Sequence, residues 1–245
     1  MARAALLERL TMGGWRRARL TARTAQTATG RTLTFEVPRW PGHLPGQHVD
    51  VRLTAADGYQ AVRSYSLAAP ADTDRIELGV QAVDGGEVSP YLADDLPVDA
   101  DVEVKGPLGG WFVWTPQEPG PLLLIAGGSG IVPLMAMLRA RLASTSTWPC
   151  TLLYSVRGPD EVWYAAELDS AHDQHLRILR LYTRLAPDHS ERPAGRITKA
   201  DVVGLPSAEG ARCYVCGPTG FVEHVSALLL AAGHAPDQIR TERFG

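Results

Sequence analysis

The sequence Leu-Leu-Leu-Ile-Ala-Gly-Gly-Ser-Gly-Ile-Val-Pro, residues 122–133, begins as an uninterrupted apolar run and then turns through three glycines. The apolar run is typical of a strand that is buried on both faces of a sheet. Gly127, Gly128 and Gly130 allow a tight turn and a close approach of the backbone to a ligand. The stretch therefore predicts a strand that ends in a glycine turn.

A helix is predicted directly after the turn, because Leu134, Leu138 and Leu142 recur at intervals of four residues. Pro133 fits the first turn of a helix, where no backbone N–H is needed. Backbone N–H groups and the positive end of the helix dipole suit a pyrophosphate. The spacing departs from the dinucleotide-binding fingerprint, since Pro133 stands in place of the third glycine. The stretch alone leaves a plain strand-to-helix connection open.

The composition describes a globular chain. Its 245 residues, 45% hydrophobic and 21% charged, suffice for one large or two ordinary domains. A net charge of −3 argues against general nucleic-acid binding. Cys150, Cys213 and Cys216 are too few for a disulfide framework and favour a reducing compartment. With no membrane-spanning run and no signal-peptide pattern, we expect a cytoplasmic protein.

The N-terminal region differs from the rest in charge. Residues 1–40 hold eight arginines and two glutamates, so this segment carries a net charge of +6. We expect residues 1–14 to form a basic arm and the remainder to be a solvated strand face. A docking patch for an acidic partner is the alternative.

Short strands at regular spacing fill the first part of the chain. Alternating or β-branched runs occur at 17–22, 32–37, 47–53, 62–67, 75–83 and 101–105, the last ended by Gly106-Pro107. This spacing predicts a small antiparallel barrel over residues 15–116.

The rhythm changes after the Pro- and Gly-rich stretch Thr115–Gly120. Apolar strands separated by helical stretches are predicted at 122–126, 151–156, 176–182 and 212–216. A strand–helix alternation predicts βα units on a parallel sheet, here over residues 117–245.

The barrel contains three motifs that suit a flat, phosphorylated ligand. Arg63-Ser64-Tyr65-Ser66 lies on a predicted strand, which sends Arg63 and Tyr65 to one face and the serines to the other. In Gly85-Gly86-Glu87-Val88-Ser89-Pro90, Ser89 is the predicted N-cap and Pro90 the first residue of a helix. The third motif is Gly106-Pro107-Leu108-Gly109. Each also has an ordinary structural explanation.

These motifs, followed by Gly127–Pro133 and by Cys216-Gly217-Pro218, resemble the ferredoxin–NADP reductase superfamily. The five motifs occur in that family's order and at about its spacing, over roughly residues 15–245. The resemblance implies an antiparallel Greek-key barrel that binds flavin, followed by a parallel-sheet, Rossmann-like domain that binds a pyridine nucleotide.

The resemblance also implies roles for residues of the barrel. Arg63 would hold the flavin phosphate, Tyr65 would stack on the isoalloxazine ring, and Ser66 would lie near flavin N5. Gly86 and Ser89 would contact the pyrophosphate. The further residues assigned to the flavin site are Ser64, Val80, Gly85 and Val88. The glycine-rich loop suits a pyrophosphate, so we expect FAD rather than FMN.

The second domain indicates NADPH rather than NADH. NAD-specific folds usually place a carboxylate about 20 residues after the glycine turn. Here Ser155 and Arg157 stand at the end of the next strand, and a guanidinium suits a 2′-phosphate. Arg184, after the following strand, would add charge. A surface arginine near Asp160 is the alternative, so NADH stays open.

The glycine turn, with Gly127, Gly128, Ser129 and Gly130, is assigned to the nucleotide pyrophosphate. By resemblance, Cys216, Gly217 and Pro218 lie on the nicotinamide side, and Phe244 covers the flavin with Glu242 two residues before it. Phe244 would leave when nicotinamide arrives. The alternatives are a buried strand cysteine and a frayed tail.

No metal site is expected. His172 and His175 with Glu167 nearby are best explained as a solvated loop, and Cys213 and Cys216 should face opposite sides of a strand.

The combined expectation is a monomeric flavoprotein reductase. It would take hydride from NADPH onto FAD and pass single electrons to a ferredoxin or another iron–sulfur or haem protein on a separate chain. Its catalytic residues would be Ser66, Cys216, Glu242 and Phe244. One alternative is a reductase of free flavin, quinone or ferric chelate. Another is a non-catalytic electron-transfer subunit.

Overall fold

The structure, a computed structural model, describes residues 14–188, 190, 192–203, 205 and 211–244. The predicted basic arm lies outside these residues except for Gly14. The chain forms two compact units. The first contains the described residues up to Thr115 together with Met135–Ala140, and the second contains Pro116–Leu134 and the described residues from Arg141 onward.

The first unit is built on an antiparallel sheet of six strands in the order β4-β3-β6-β1-β2-β5. Its strands are β1 (Arg16–Ala25), β2 (Gly30–Glu36), β3 (His48–Thr54), β4 (Gln60–Ser66), β5 (Arg75–Gln81) and β6 (Asp101–Leu108). Burial alternates along most of them, so one face of each strand points into the core.

The two outer strands of this sheet, β4 and β5, meet just beyond the end of β4. Leu67 forms an isolated antiparallel bridge with Leu78. The amide of Ala68 donates to the carbonyl oxygen of Glu77 at 2.7 Å. These contacts close the sheet on itself, and the predicted antiparallel barrel is confirmed.

The barrel is filled by fully buried apolar side chains, among them Leu20, Leu33, Phe35, Val51 and Leu78. Each belongs to a strand with an alternating pattern, which explains why the pattern predicted the strands.

The end of β6 was predicted wrongly. The strand does not stop at Gly106 but continues to Leu108, which pairs with His48 across a register irregularity in β3. Gly106, with a φ of +158°, and Pro107, after a cis peptide bond, both lie within this strand. A proline normally signals the end of a strand, and sequence alone does not reveal the cis bond.

Most described arginines of the basic N-terminal region have partners within the first unit. Arg17 pairs with Asp101 and Arg19 pairs with Glu36. The guanidinium of Arg23 donates to the carbonyl oxygen of Leu96. With the Arg31–Asp94 pair, carboxylates therefore offset part of the positive charge of this region within the first unit.

The second unit is built on a parallel sheet of five strands in the order β11-β10-β7-β8-β9. The strands are β7 (Leu122–Gly127), β8 (Cys150–Val156), β9 (Leu176–Tyr182), β10 (Arg212–Pro218) and β11 (Ile239–Phe244). Helix α1 (Ile131–Leu142) begins and ends in this unit, while its segment Met135–Ala140 belongs to the first unit. The other helices of the second unit are α2 (Ala165–Ser170), α3 (Lys199–Val203) and α4 (Thr219–Ala231). Strands β7 and β8 are buried at every position, as their continuous apolar runs predicted.

Strand β11 was not predicted. It pairs in parallel with β10, with Cys213 opposite Ile239 and Pro218 opposite Phe244. Its sequence Ile-Arg-Thr-Glu-Arg-Phe has too few apolar residues to be recognised as a strand. The last described residues therefore form an edge strand and not a frayed tail.

No helix among the described residues is long and apolar enough to cross a membrane.

A buried histidine ties a loop to the segment after β4. Trp40 Nε1 donates to His43 Nδ1 at 3.0 Å, and the second ring nitrogen of His43 lies 2.8 Å from the carbonyl oxygen of Ala69. Because the indole can only donate, His43 Nδ1 must accept. The ring proton is therefore on Nε2, which donates a hydrogen bond to the carbonyl oxygen of Ala69. Burial lowers the pKa of His43, partly offset by the bond to Ala69, so the folded state holds the ring neutral.

We predict that this ring makes the stability depend on pH. As pH falls below about 6.5, the His43 ring binds a proton in the unfolded chain but stays neutral in the folded chain. The free energy of unfolding therefore falls by up to about 1.4 kcal/mol per pH unit. His43→Gln removes this contribution. Urea unfolding of both proteins between pH 5 and 8 measures the two slopes, and equal slopes would contradict the prediction.

Candidate functional site

Strand β4 holds the first group of predicted site residues. It pairs with β3 so that Val51 lies opposite Arg63 and His48 opposite Ser66. Arg63 is exposed, and Tyr65 is partly buried and packs against the barrel core. Burial raises the pKa of Tyr65 to about 12, against a smaller effect of Arg63, so the phenol stays neutral.

Ser64 lies on the opposite face of β4, as the alternation predicted. Its hydroxyl donates to Asp50 Oδ1 at 2.6 Å, across from it in the ladder. Asp50 therefore holds this hydroxyl.

The loop of residues 83–89 is closed by Ser89, whose hydroxyl accepts a hydrogen bond from the amide of Val83 at 3.1 Å. Ser89 was predicted to cap a helix, and this is wrong. Residues 89 and 90 are already helical and continue into the helix Tyr91–Asp95, and the Ser89 hydroxyl bonds back to the loop instead of capping this helix. A Cβ on Gly86 would lie 2.8 Å from the carbonyl oxygen of Val83, so this glycine permits the tight loop.

Two other residues assigned to the flavin site lie in the core. Val80 and Val88 are 0% and 1% exposed, within the apolar cluster of the barrel. Their side chains pack against protein, so any cofactor contact at these positions would come from the backbone. Gly85 is exposed with a φ of +68°, and a Cβ there would meet nothing within 4 Å.

His48 was missed by the sequence interpretation. The ring is partly buried opposite Ser66, and its Nδ1 lies 3.2 Å from where a Cβ of Gly109 would be. Burial lowers the pKa of His48, and Asp50 opposes this to a smaller extent. Both strands were predicted, but the register that places His48 opposite Ser66 was not read from the sequence.

In the second unit, β7, a short 3₁₀ turn over Gly128–Gly130 and α1 follow one another as predicted. The three glycines of this turn differ in what a side chain at their position would meet. A Cβ on Gly127 would lie 2.7 Å from the ring of Phe221, and one on Gly130 would lie 2.3 Å from the carbonyl oxygen of Cys216. These two glycines allow packing within the unit.

Gly128 differs from both, since its φ is +55° and a Cβ there would meet nothing within 4 Å. The neighbouring Ser129 is partly exposed. The open side of the turn is therefore at Gly128 and Ser129, and this is where a ligand could approach the backbone.

The residues predicted to read the 2′-phosphate come together at the carboxyl ends of β8 and β9. Ser155 pairs with Gly127 on one side and Leu181 on the other. The amide of Arg184 donates to the carbonyl oxygen of Arg157 at 2.9 Å. Both arginines are exposed. Ligands of open α/β sheets bind at this edge.

Strands β10 and β11 bring the remaining predicted residues together. Cys216 pairs with Glu242, and Gly217 and Pro218 follow on β10. Burial raises the pKa of Cys216 well above its ordinary value, and Glu242 adds to the shift. Both effects favour the neutral thiol. Phe244 is 39% exposed at the end of β11.

Cys213 turns away from Cys216, as predicted, and its sulfur lies 3.3 Å from His234 Nδ1. Burial raises the pKa of Cys213 to about 12 and lowers that of His234, so this is a neutral pair. Within the described part of the chain, no group of three or more His, Cys, Asp or Glu side chains could hold a metal ion.

The donor groups of both units fit dinucleotide cofactors. Each unit has a glycine with positive φ facing open space, Gly85 and Gly128, and an exposed arginine, Arg63 and Arg157. Open backbone and a guanidinium suit the phosphates of FAD and of a nicotinamide nucleotide.

Comparison with known families agrees with this geometry. Residues 17–113 match the oxidoreductase FAD-binding domain, and residues 124–227 match the oxidoreductase NAD-binding domain. The two matches confirm FAD and a nicotinamide nucleotide as the predicted cofactor classes.

One curated relative is the ferredoxin–NAD(P)(+) reductase component of naphthalene 1,2-dioxygenase/salicylate 5-hydroxylase systems from a Ralstonia species. The two sequences are 30% identical over 218 residues, which cover 87% of this chain and 64% of that protein. It is 32% identical to the reductase subunit of an aromatic O-demethylase from an Amycolatopsis species, covering 81% of this chain and 60% of the relative. The chain thus spans less than two thirds of the length of these relatives.

Solved structures agree on the fold. The FAD/NAD-binding domain of nitric oxide dioxygenase from Vibrio cholerae superposes with a TM-score of 0.82 at 25% identity, covering 94% of this chain and 98% of that chain. A cytochrome P450 reductase from Amycolatopsis superposes with a TM-score of 0.81 at 29% identity, covering 94% of this chain and 70% of that chain.

We predict that substitutions of two turn glycines lower the stability by different amounts. Gly130→Ala forces a Cβ onto the Cys216 carbonyl and should lower the free energy of unfolding by more than about 3 kcal/mol. Gly128→Ala meets no atom and should cost only about 1–2 kcal/mol from its left-handed backbone. Urea unfolding measures both, and equal losses would show that packing does not distinguish the two positions.

Proposed function

Since the chain belongs to the ferredoxin–NADP reductase superfamily, we propose that it takes hydride from NADPH onto FAD and passes single electrons to an acceptor protein. The observation that carries the proposal is the presence of both domains in one chain, each of which has a glycine whose backbone faces open space and an exposed arginine. FAD, when bound, accepts two electrons together and releases them one at a time.

The barrel residues bind and orient in this proposal. Arg63 pairs with the flavin phosphate, and the neutral Tyr65 packs against the isoalloxazine ring. Ser66, at the end of β4, offers a hydroxyl near flavin N5. Ser89 keeps the pyrophosphate loop closed through its bond to Val83.

The second domain binds the nucleotide. Gly128 and Ser129 offer backbone amides to its pyrophosphate. Cys216, small, neutral and buried, would lie on the nicotinamide side, and Glu242, paired with it across the strands, would be the second polar group there. Phe244 would cover the flavin ring in the absence of nicotinamide.

The preference for NADPH is supported by the joined ends of β8 and β9. The bond from the Arg184 amide to the Arg157 carbonyl brings two exposed arginine positions together, and Ser155 lies on the same edge. A 2′-phosphate would receive charge-assisted hydrogen bonds from both guanidinium groups.

The acceptor is proposed from the relatives. Those named above are reductase components of an oxygenase system and an O-demethylase. We therefore propose a ferredoxin, or an iron–sulfur or haem component of an oxygenase, on a separate chain as the acceptor.

The function is tested by anaerobic titration of the purified, FAD-loaded protein with NADPH. We expect the yellow absorbance to bleach at about one equivalent, and candidate acceptor proteins to restore it. A protein that retains no flavin, or whose flavin NADPH does not bleach, would overturn the proposal. Fast turnover with free flavin, quinone or ferric chelate and none with protein acceptors would instead favour a small-molecule reductase.

We predict that Arg157→Ala raises the Michaelis constant for NADPH roughly tenfold and leaves that for NADH within about twofold, since only NADPH carries the 2′-phosphate. Arg184→Ala should act in the same direction. Arg177→Ala is the matched control, because Arg177 is an exposed arginine at the opposite end of β9. Equal effects on both nucleotides would remove the 2′-phosphate role.

A further inference from the structure

The seam of the barrel lies immediately after the proposed flavin-binding strand. Beyond Ser66, Leu67 bridges Leu78, and the amide of Ala68 donates to the Glu77 carbonyl oxygen at 2.7 Å. The amide of Leu67 also donates to the Gln47 carbonyl oxygen at 3.0 Å. The position of Ser66 therefore depends on how firmly these next two residues are held.

One side chain from α1 joins both sides of this seam. Arg139 belongs to the segment of α1 that is part of the first unit. Its Nη1 donates to the carbonyl oxygen of Ala68 at 2.9 Å and to Glu77 Oε1 at 2.6 Å. A single guanidinium nitrogen thus bonds the chain after β4 and a side chain of β5.

The surroundings make this contact stronger than a surface ion pair. The side chains of Arg139 and Glu77 are only 21% and 22% exposed. The Arg75–Asp72 pair, at the start of the same strand, is 63% and 58% exposed. Partial desolvation strengthens charge-assisted hydrogen bonds, whereas exposed pairs contribute little.

We propose that Arg139 is a positioning residue for the flavin site. By fixing Ala68 against Glu77, it holds the end of β4 so that Tyr65 and Ser66 meet the isoalloxazine ring in one geometry. This role rests on the proposed function, because it assumes that FAD binds along β4. Arg139 itself contacts the strand end, and nothing in the role requires it to touch the cofactor.

The test compares Arg139→Met, Arg139→Lys and the control Arg75→Met. Arg139→Met keeps the length and apolar stem of the side chain and removes both hydrogen bonds. We expect it to raise the FAD dissociation constant about tenfold, measured by quenching of flavin fluorescence. We also expect a shifted flavin absorption spectrum and a lower kcat at an unchanged Michaelis constant for NADPH.

Arg139→Lys keeps the charge and a donor, so it should recover most of the FAD affinity, and it decides the matter if Arg139→Met does not fold. Arg75→Met should match the wild-type protein in FAD affinity and spectrum. The inference is overturned if the Arg139 variants lower only the unfolding midpoint and leave FAD affinity and spectrum unchanged. A wild-type protein that binds no FAD would instead overturn the proposed function.

Discussion

The second unit depends on a close approach between two pieces of backbone. At Gly130 the turn after β7 passes so near the end of β10 that a Cβ would lie 2.3 Å from the Cys216 carbonyl oxygen. This approach lets α1 start where the carboxyl ends of the parallel strands gather, with β7 and β10 in register from Leu122 and Arg212 onward. The register of β7 with β8 places Ser155 opposite Gly127 at the same edge.

A second close contact acts in the same region. Phe221, on α4, occupies the space that side chains at positions 127 and 217 would need. Internal packing therefore explains why Gly127, Gly130 and Gly217 are glycines. Only Gly128 leaves space for a ligand. A motif can thus be recognised correctly while the reason for most of its residues is different.

The architecture could be predicted because its signals are local. Alternation along β1 to β5 and the apolar runs of β7 and β8 each follow from burial on one or two faces. What failed depended on information that the local pattern lacks. Strand β11 is recognisable only through its pairing with β10, and β6 passes through a cis proline.

The candidate site shows the same division. The Arg63–Ser66 strand and the Arg157–Arg184 pair of loops could be placed from sequence, because strand ends of a sheet meet at one edge. The position of His48 could not be predicted, because it depends on the register of β3 with β4. The loop-closing role of Ser89 could not be predicted either, because it depends on a hydrogen bond to Val83, six residues earlier. Arg139 was not singled out, because the leucine spacing already explained why this segment forms a helix and gave no reason to examine its polar residues.

The residues at the carboxyl ends of the parallel strands differ in how strongly the fold constrains them. Gly127 and Gly130 are constrained by packing against Phe221 and the Cys216 carbonyl, so a larger residue at either position would disturb the fold. Arg157 and Arg184 are both exposed, and the hydrogen bond that joins them is made by their backbones. If their guanidinium groups bind the 2′-phosphate as proposed, the coenzyme preference would depend on two surface side chains whose replacement leaves that backbone bond in place.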